Sequence, residues 1–522
     1  MQITQALKRA AAARPGALAT VCGGRRRTFA QVAQRVARLA GALHGLGVQA
    51  DDRVGILSLN SDRYIETYLA VPWAGAAINP VNTRWSAAEI AYSLADCDTR
   101  VLLVDDPFMH MLPELRKRCA SLRTLVHVGN GATPQGLLSY EALITATQPV
   151  ADATLGGRDL AGVFYTGGTT GFPKGVMLSH DALVYNALVF AAQGVARDRE
   201  VGLHVAPLFH MAGVALLNTL WTVGGTHVTM PAFEPLAALQ ALERERIATT
   251  VMVPTMIQLL VDHPQCAGFD LAMLRRIGYG GSPISDALLE RAALRLPQVE
   301  FAQVYGMTEL APVATQLGPE LHAPEGRARG KTVSAGQAVL GVDLRVVDPE
   351  GHPLPPGVVG EVIVRSPGAM LGYWGKPEET AKALQRAPNE GWMHTGDAGR
   401  LDEEGFLTIV DRVKDMIVTG GENVYSVEVE QVVARHRAVA ACAVIGVPDD
   451  DWGERVHAVV QLKPGAQADA DAIRAHCKTL IGGYKCPRSV EFVAALPVSG
   501  AGKVLKTQLR ELHWAGCMRR VA

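Results

Sequence analysis

A glycine- and threonine-rich segment carries the strongest chemical signal in the chain. It reads Tyr165-Thr-Gly-Gly-Thr-Thr-Gly-Phe-Pro-Lys-Gly175 and follows an apolar run at 160–164. A strand that leads into three closely spaced glycines predicts a loop whose backbone N–H groups turn towards an anion. Threonine hydroxyls and Lys174 add further donors, and the lack of a GK[ST] tripeptide distinguishes the segment from a Walker A loop. The pattern therefore predicts a phosphate-binding loop of another kind.

Further segments that combine glycine with polar side chains follow along the chain. They are Pro207-Leu-Phe-His-Met-Ala-Gly213, Gly280-Gly-Ser-Pro283, Gln303-Val-Tyr-Gly-Met-Thr-Glu309, Trp392-Met-His-Thr-Gly-Asp397, Asp411-Arg-Val-Lys-Asp415, Gly420-Gly-Glu-Asn423 and Ser499-Gly-Ala-Gly-Lys503. Each segment alone is typical of an ordinary turn or helix start. Together they extend over nearly the whole chain.

In this order the segments resemble those of the adenylate-forming superfamily, which includes acyl-CoA synthetases, luciferases and peptide-synthetase adenylation domains. The resemblance implies an acid–thiol ligase that uses ATP, Mg²⁺ and coenzyme A. A carboxylate would react with ATP to give acyl-AMP and pyrophosphate, and the CoA thiol would then displace AMP. The family usually has serine where this chain has Gly167, so one hydroxyl donor is missing while the backbone donors remain. The phosphate-binding residues implied by the resemblance are Thr166, Gly167, Gly168, Thr169, Thr170, Gly171 and Lys174.

The same resemblance implies how the nucleotide and the metal are held. A loop would lie on one face of the adenine and a tyrosine on the other, where aromatic stacking suits a purine. Mg²⁺, a hard cation, would be held by oxygen ligands together with the substrate phosphates. The implied residues are Gly281, Ser282 and Pro283 with Tyr305 and Gly306 for adenine, Thr308 for the α-phosphate, Thr169 and Glu309 for Mg²⁺, and Asp397 and Arg412 for the ribose.

Lys503 is implied to be the lysine that catalyses adenylation, acting with Thr169, Glu309 and His210. Attack of a carboxylate on an α-phosphate brings two anions together, and a point cation must bridge them in the transition state. The thiol must later reach the same carbonyl, so the resemblance implies that a small domain rotates about a hinge at Lys414. Gly420, Gly421 and Glu422 would then line the path of the CoA thiol.

His210 bears on the acid that is activated. Amino-acid adenylating domains place an aspartate just after the matching phenylalanine to neutralise the substrate ammonium, and here His210 stands there. The residues that follow it, 211–217, are all apolar, so an apolar acid is expected. The segments at 420–425 and 451–454 most resemble bacterial fatty-acid–CoA ligases, which favours a medium- or long-chain fatty acid. The alternatives are an aryl acid of the hydroxycinnamate or benzoate type, and transfer of the acyl group to a carrier protein.

Alternating β-prone and amphipathic stretches predict an α/β fold with parallel sheets in a large N-terminal domain, residues 1–411. Strands are expected, for example, at 54–59 and 99–105, and helices at 30–46 and 87–96. From about 336 to 411, short strands joined by Gly/Pro turns predict a small β-barrel-like subdomain. A small, mobile α+β domain is expected at 412–522.

Composition excludes several classes of protein. The 522 residues include 50 Lys+Arg and 51 Asp+Glu, and this balance argues against binding nucleic acid through a global field. The eight cysteines form no CxxC pair, as expected of thiols in a reducing compartment. Glycine and proline interrupt the longest uncharged stretch, 201–233, so no integral membrane segment is expected. A cytoplasmic protein is predicted, with the oligomeric state open and a homodimer as one option. The basic run Arg25-Arg26-Arg27 is expected to be a solvated turn.

Overall fold

The computed structural model describes residues 1–166, 173–282, 284–384, 386–412, 415–419, 422–449, 452–498 and 504–514. The chain divides into two compact units. One is built from 1–344 and 364–393, and the other from 345–363 and 394–522. The predicted domain boundary after residue 411 stays a prediction. No helix in the described part of the chain is long and apolar enough to cross a membrane.

The first unit contains a sheet of nine described strands. They are β1 (Leu18–Cys22), β2 (Arg25–Thr28), β10 (Val201–His204), β11 (Thr226–Thr229), β12 (Thr249–Met252), β13 (Arg276–Gly280), β14 (Glu300–Gly306), β15 (Val313–Leu317) and β16 (Gln337–Ala338). The strand order is β16-β15-β14-β13-β12-β10-β11-β1-β2. The six strands from β14 to β1 in this order run parallel, and the edge strands β15, β16 and β2 pair antiparallel.

A second sheet of the first unit has eight described strands. They are β3 (Arg53–Leu57), β4 (Ala77–Pro80), β5 (Val101–Val104), β6 (Thr124–His127), β7 (Leu138–Ser139), β8 (Leu160–Thr166), β9 (Lys174–Ser179) and β19 (Gly372–Tyr373). The order is β19-β9-β8-β4-β3-β5-β6-β7, parallel from β8 to β7 and antiparallel at β8–β9 and β9–β19. The predicted parallel α/β architecture is confirmed.

Helices connect and cover these strands. They are α1 (Gln5–Ala13), α2 (Phe29–Gly45), α3 (Asp62–Trp73), α4 (Ala87–Asp96), α5 (Leu112–Arg118), α6 (Tyr140–Ala146), α7 (His180–Ala192), α8 (Met211–Thr222), α9 (Pro235–Arg244), α10 (Pro254–Val261), α11 (Asp286–Arg295), α12 (Pro324–Arg327) and α13 (Pro377–Leu384). Capping boxes begin two of them, Thr28 with Gln31 at α2 and Ser86 with Glu89 at α4. These caps satisfy backbone N–H groups that lack a helical partner, which fixes both helix starts.

The described residues of the second unit form two smaller sheets and three helices. The strands are β17 (Asp343–Val347), β18 (Gly360–Arg365), β20 (Met393–Leu401), β21 (Leu407–Arg412), β22 (Ile417–Thr419), β23 (Glu422–Val424), β24 (Val439–Asp449), β25 (Gly453–Leu462) and β26 (Ser489–Phe492), and the helices are α14 (Ser426–Ala434), α15 (Ala470–Lys478) and α16 (Lys506–Trp514). One sheet has the order β17-β18-β20-β21, and the other has β23-β22-β25-β24 with β26 paired to β25. The short strands predicted from about residue 336 to 411 thus correspond to the first of these sheets.

The basic run Arg25-Arg26-Arg27 is not a solvated turn, because it forms strand β2 and each arginine meets a carboxylate. Arg25 forms a bidentate ion pair with Asp62, with Nη2 2.8 Å from Oδ1 and Nε 2.9 Å from Oδ2, and Arg27 contacts the same carboxylate. Arg26 pairs with Glu245 at 2.9 Å. Asp62 is fully buried at the start of α3, and a buried carboxylate requires such partners. The prediction failed because these carboxylates come from distant parts of the sequence.

Candidate active site

Four adjacent parallel strands bring several of the predicted residues to one edge of the nine-stranded sheet. The strands are β14, β13, β12 and β10, in that spatial order. The carboxyl ends of parallel strands meet at one edge, and ligands of open α/β sheets bind there. Gly281 and Ser282 follow β13, Tyr305 and Gly306 end β14, and His210 lies in the loop after β10. The topology therefore collects the predicted adenine-binding and acyl-binding residues along one rim.

Asn60 fixes the loop that carries His210. Its side-chain oxygen accepts a hydrogen bond from the Leu208 N–H at 2.8 Å. Its amide donates to the carbonyl oxygens of His204, at 3.3 Å, and Ala206, at 2.9 Å. Asn60 is buried, so these bonds replace the water that would otherwise satisfy the loop backbone. The loop is thus held at both sides of Pro207.

His210 itself caps helix α8. Its Nδ1 accepts a hydrogen bond from the backbone N–H of Ala212 at 3.3 Å, and the residue is half-buried. An Nδ1 that accepts carries no proton, so a neutral ring has its proton on Nε2. The helix behind it is buried over most of its length, from Met211 to Trp221. An imidazole, and no carboxylate, therefore stands at the start of an apolar helix.

Close backbone contacts explain two of the glycines near this rim. A Cβ on Gly280 would lie 2.4 Å from the carbonyl oxygen of Val304 in the neighbouring strand, and one on Gly213 would lie 2.3 Å from that of Pro207. Gly281 has a φ angle of +79°, a left-handed backbone conformation that favours glycine even where a side chain would have room. A Cβ on Gly278 would meet nothing closer than 3.4 Å. Glycine at 280 and 213 is therefore required by the fold itself.

Glu309 is buried in a short helical turn after β14, where both sheets of the first unit meet. The hydroxyl of Tyr373 donates to its Oε1 at 2.8 Å, and the backbone N–H of Met370 donates to its carbonyl oxygen at 2.8 Å. Burial and the Glu309 carboxylate both raise the pKa of Tyr373, so the phenol stays protonated and remains a donor. The position of the Glu309 carboxylate is thus set by a residue of β19.

Lys174 lies at the start of β9, opposite Thr166 across the hairpin that carries the glycine-rich loop. Its ammonium is 2.6 Å from Oε2 of Glu379 and 5.1 Å from the centre of the Tyr373 ring. The hydrogen bond from Lys174 lowers the pKa of Glu379. Tyr373 therefore connects the hairpin of the predicted phosphate loop with the predicted metal ligand Glu309.

In the second unit, Asp397 and Arg412 occupy paired positions on strands β20 and β21. Glu361 of β18 holds the turn before Asp397, since its carboxylate accepts from Nδ1 of His394 at 3.0 Å and from the Gly396 N–H at 3.3 Å. The Asp397 N–H donates to the Thr395 hydroxyl at 3.1 Å. The register therefore places the two predicted ribose-binding residues side by side.

The remaining predicted residues lie outside the described part of the chain. They are Gly167, Gly168, Thr169, Thr170, Gly171, Pro283, Lys414, Gly420, Gly421 and Lys503, and Arg412 and Glu422 are described only in their backbone. Val498 and Val504 pair across an antiparallel bridge on either side of 499–503. Thr308 is described and starts the turn that contains Glu309.

Four positioning residues were not found by sequence reasoning: Asn60, Glu361, Tyr373 and Glu379. Each contacts a segment that is distant in the sequence, and none lies in one of the motif segments identified from the sequence. Local patterns hold no signal for such contacts.

Comparison with protein families decides the identity. The model for the AMP-binding enzyme matches residues 7–374, and the model for the AMP-binding enzyme C-terminal domain matches 428–503. The chain belongs to the AMP-binding enzyme family. It is an AMP-forming acyl-CoA synthetase of the adenylate-forming superfamily, as the motifs predicted.

Individual relatives of this AMP-binding enzyme match over almost its whole length. A feruloyl-CoA synthase from Amycolatopsis sp is 40% identical over 95% of this chain and 96% of its own. The fatty acid–[acyl-carrier-protein] ligase ScoC from Streptomyces coeruleorubidus is 36% identical over 97% of this chain and 95% of its own. The solved structure of the anthranilate CoA ligase AuaEII with anthranoyl-AMP matches with a TM-score of 0.88 and 28% identity, over 98% of this chain and 97% of that one.

Proposed function

We propose that this acyl-CoA synthetase activates an apolar aryl carboxylic acid of the hydroxycinnamate class. The observation that carries the apolar character of the acid is the imidazole of His210 at the start of the buried helix α8, where a substrate ammonium would need a carboxylate. The 40% identity to a feruloyl-CoA synthase supports an aryl acid. A medium- or long-chain fatty acid, the substrate favoured by the sequence motifs, is the second candidate, and the similarity to ScoC supports it.

The reaction follows two displacements. A carboxylate oxygen attacks the α-phosphorus of ATP, the bond to pyrophosphate breaks, and acyl-AMP forms. The sulfur of CoA then attacks the acyl carbon, loses its proton, and the bond to AMP breaks. Activation is needed because carboxylate oxygen leaves poorly whereas AMP leaves well.

The residues at the sheet rim and in the second unit are proposed to hold ATP. Gly281, Ser282 and Pro283 would contact one face of the adenine, and Tyr305 with Gly306 the other. Asp397 would accept hydrogen bonds from the ribose hydroxyls, and Arg412 would contact ribose and phosphate. The phosphate loop, which comprises 166–171 and Lys174, would bind the pyrophosphate portion, and Thr308 the α-phosphate.

Glu309 fits the role of a Mg²⁺ ligand. Its carboxylate is the kind of oxygen donor that Mg²⁺ prefers, and the Tyr373 hydroxyl fixes its position. Thr169 is proposed as the second protein ligand. Mg²⁺, when bound, neutralises charge on the phosphates during their displacement. The chain's own contribution is Tyr373, which holds this carboxylate and whose ring lies beside Lys174 at the start of β9.

Lys503 is proposed to catalyse adenylation, whereas Lys414, Gly420, Gly421 and Glu422 serve the thiol step. We expect Lys503→Ala to lower acyl-AMP formation by at least about a hundredfold, because a positioned cation at developing charge supplies several kcal/mol. Thioester formation from supplied acyl-AMP should be retained. The two half-reactions are followed separately, by pyrophosphate exchange and by CoA consumption. Equal loss of both would contradict this role.

The experiment that tests the substrate is a panel assay on the purified protein with ATP, Mg²⁺ and CoA. The acids are ferulate, 4-coumarate, benzoate, acetate, octanoate and palmitate, and AMP release and thioester formation are both measured. Preference for ferulate or coumarate supports the proposal, and preference for octanoate or palmitate replaces it with the fatty-acid candidate. Pyrophosphate exchange without CoA thioester would assign the acyl group to a carrier protein. The predicted cytoplasmic location and the oligomeric state stay predictions.

A further inference from the structure

A cluster of side chains that can bind a metal ion lies in the second unit, outside the segments assigned to the reaction. It consists of His457 on β25, Glu491 on β26 and His513 on α16. One ligand atom from each side chain lies within 4.8 Å of the other two. No step of the proposed reaction uses these residues. We infer that His457, Glu491 and His513 form a binding site for a divalent transition-metal ion, with Zn²⁺ as the expected occupant.

Two of the three separations between ligand atoms are close to the edge length of a tetrahedral metal site. Oε2 of Glu491 lies 3.5 Å from Nε2 of His457 and 3.5 Å from Nε2 of His513. A tetrahedron with Zn–N and Zn–O bonds of about 2.0–2.1 Å has edges of about 3.3–3.4 Å. The two His rings are tilted by 59° with centroids 4.7 Å apart, so neither stacks flat on the other. A small inward movement of the side chains would complete the coordination.

His457 provides the independent observation that points to a ligand. The residue is 5% exposed, and its Nε2 makes no hydrogen bond of good geometry among the described residues, with Oε2 of Glu491 at 3.5 Å. A buried polar atom left without a hydrogen bond is uncommon and calls for an explanation. Its other nitrogen, Nδ1, is 2.7 Å from the hydroxyl of Ser489. When Nδ1 donates its proton there, Nε2 presents a lone pair to the cluster, which is the usual second contact of a metal-binding histidine.

The pairing of strands β25 and β26 supports the same site. Arg455, the nearby cation on β25, is itself 3.8 Å from the carboxylate of Asp449. Ser489 pairs with His457 in the β25–β26 register, and Glu491 follows two residues later on the same face. Two of the three ligands are therefore fixed by one strand pairing.

Imidazole nitrogens select Zn²⁺, Cu²⁺ or Ni²⁺ over Mg²⁺, which prefers oxygen ligands. Three protein ligands leave a fourth position for water, and the Glu491 side chain is 45% exposed, so solvent reaches the site. Occupancy would tie the end of α16 to the sheet of β25 and β26. The same helix is anchored near its start by Lys506 with Glu430, at 2.7 Å, and by Arg510 with Asp415, at 2.6 Å.

The test is calorimetric titration of the tag-free full chain, stripped with a chelator, with ZnCl₂ and separately with MgCl₂. We expect a Zn²⁺-binding event that His513→Ala and Glu491→Gln each weaken by at least about tenfold, since even indirect contacts of a metal ligand contribute that much. His352→Ala is the matched control, because that side chain is 71% exposed and lies outside the cluster. It should bind Zn²⁺ like the wild type, and Mg²⁺ should not compete.

A second readout separates metal binding from a structural role. Substitution with Co²⁺ should give the visible absorption of a tetrahedral site in the wild type and in His352→Ala, and this absorption should be absent in His513→Ala. The circular dichroism of all variants in chelator should match the wild type. If the wild type binds Zn²⁺ no more tightly than the His513→Ala and Glu491→Gln variants, the cluster is a metal-free hydrogen-bonding group and the inference is overturned.

Discussion

At the scale of single residues, Tyr373 joins two parts of the candidate active site that lie far apart in sequence. Its hydroxyl holds the Glu309 carboxylate, and its ring lies beside the ammonium of Lys174. The resemblance to the adenylate-forming superfamily identified Glu309 and Lys174 as candidates because both lie in segments that match the family's motifs. These motifs did not identify Tyr373, which lies 64 positions after Glu309 in the sequence. A residue that positions another can thus escape any local pattern.

The Tyr373 contact yields a prediction. Tyr373→Phe removes the donor that fixes Glu309, and a hydrogen bond to a charged group contributes about 1.5–3 kcal/mol. We expect pyrophosphate exchange to slow by about tenfold or more, with a higher Mg²⁺ concentration needed for half-maximal rate.

The matched control for this variant is Tyr185→Phe. Its hydroxyl donates to the Leu340 carbonyl oxygen and not to the Glu309 carboxylate. An unchanged rate and Mg²⁺ dependence in Tyr373→Phe would show that the phenol does not position the carboxylate.

At the scale of elements, the loop between β10 and α8 depends on contacts with a separate part of the fold. Asn60, in the segment between β3 and α3, supplies three hydrogen bonds to it. Gly213, in the first turn of α8, allows the helix to approach the Pro207 carbonyl. The position of His210 therefore results from the packing of β3 and β10 segments as well as from its own motif.

We expect Gly213→Ala to disturb this loop. The added Cβ would lie 2.3 Å from a carbonyl oxygen, so the backbone must shift, and such overpacking costs about 1–3 kcal/mol. The free energy of unfolding in urea should fall by that amount, and KM for the acid should rise.

Gly268→Ala is the control for the loop variant, because a Cβ there meets nothing within 4 Å. It should change the free energy of unfolding by no more than about 0.5 kcal/mol. Equal effects of the two substitutions would show that the close approach at Gly213 is unimportant.

The pairing of elements also explains one failed prediction. A run of three arginines suggested a solvated turn, yet β2 lies beside the start of α3, where Asp62 is buried. Helix α4, by contrast, was predicted at 87–96 and is observed as Ala87–Asp96, since its capping box and apolar period are local. Local signals predict where an element lies, whereas its neighbours decide what its charges do.

At the scale of the whole molecule, buried histidines link stability to pH. His204 and His227 are buried in adjacent strands, with Nε2 of the first 3.0 Å from Nδ1 of the second. Burial lowers the pKa of His204 to about 3 and that of His227 well below its ordinary value, and burial lowers the pKa of His180 to about 4. All three are therefore neutral in the folded protein at pH 5–7.

The sign of the effect follows from proton uptake. An unfolded histidine has a pKa near 6.5, so between about pH 6.5 and pH 4 the unfolded chain binds more protons than the folded one. The free energy of unfolding should therefore decrease as the pH falls through this window, by up to about 1.4 kcal/mol per pH unit for each such histidine. Urea denaturation at pH 5, 6 and 7 measures this slope.

His204→Gln tests the assignment, because it removes one titrating group. Its slope between pH 5 and pH 7 should be shallower than that of the wild type, whatever its absolute stability. His352→Gln changes an exposed histidine and should keep the wild-type slope. Identical slopes in His204→Gln and the wild type would assign the pH dependence to other groups.

The sequence by itself determined the chemistry and the architecture of this protein. Glycine-rich segments in a fixed order identified an adenylate-forming enzyme, and alternating apolar strands and amphipathic helices identified a parallel α/β fold, because both signals depend on residues close together in the chain. Only the tertiary structure brought Tyr373 to Glu309, Asn60 to the His210 loop and His513 to His457. Such pairs form across strands and helices that meet in space, and the local pattern around either partner carries no record of the other.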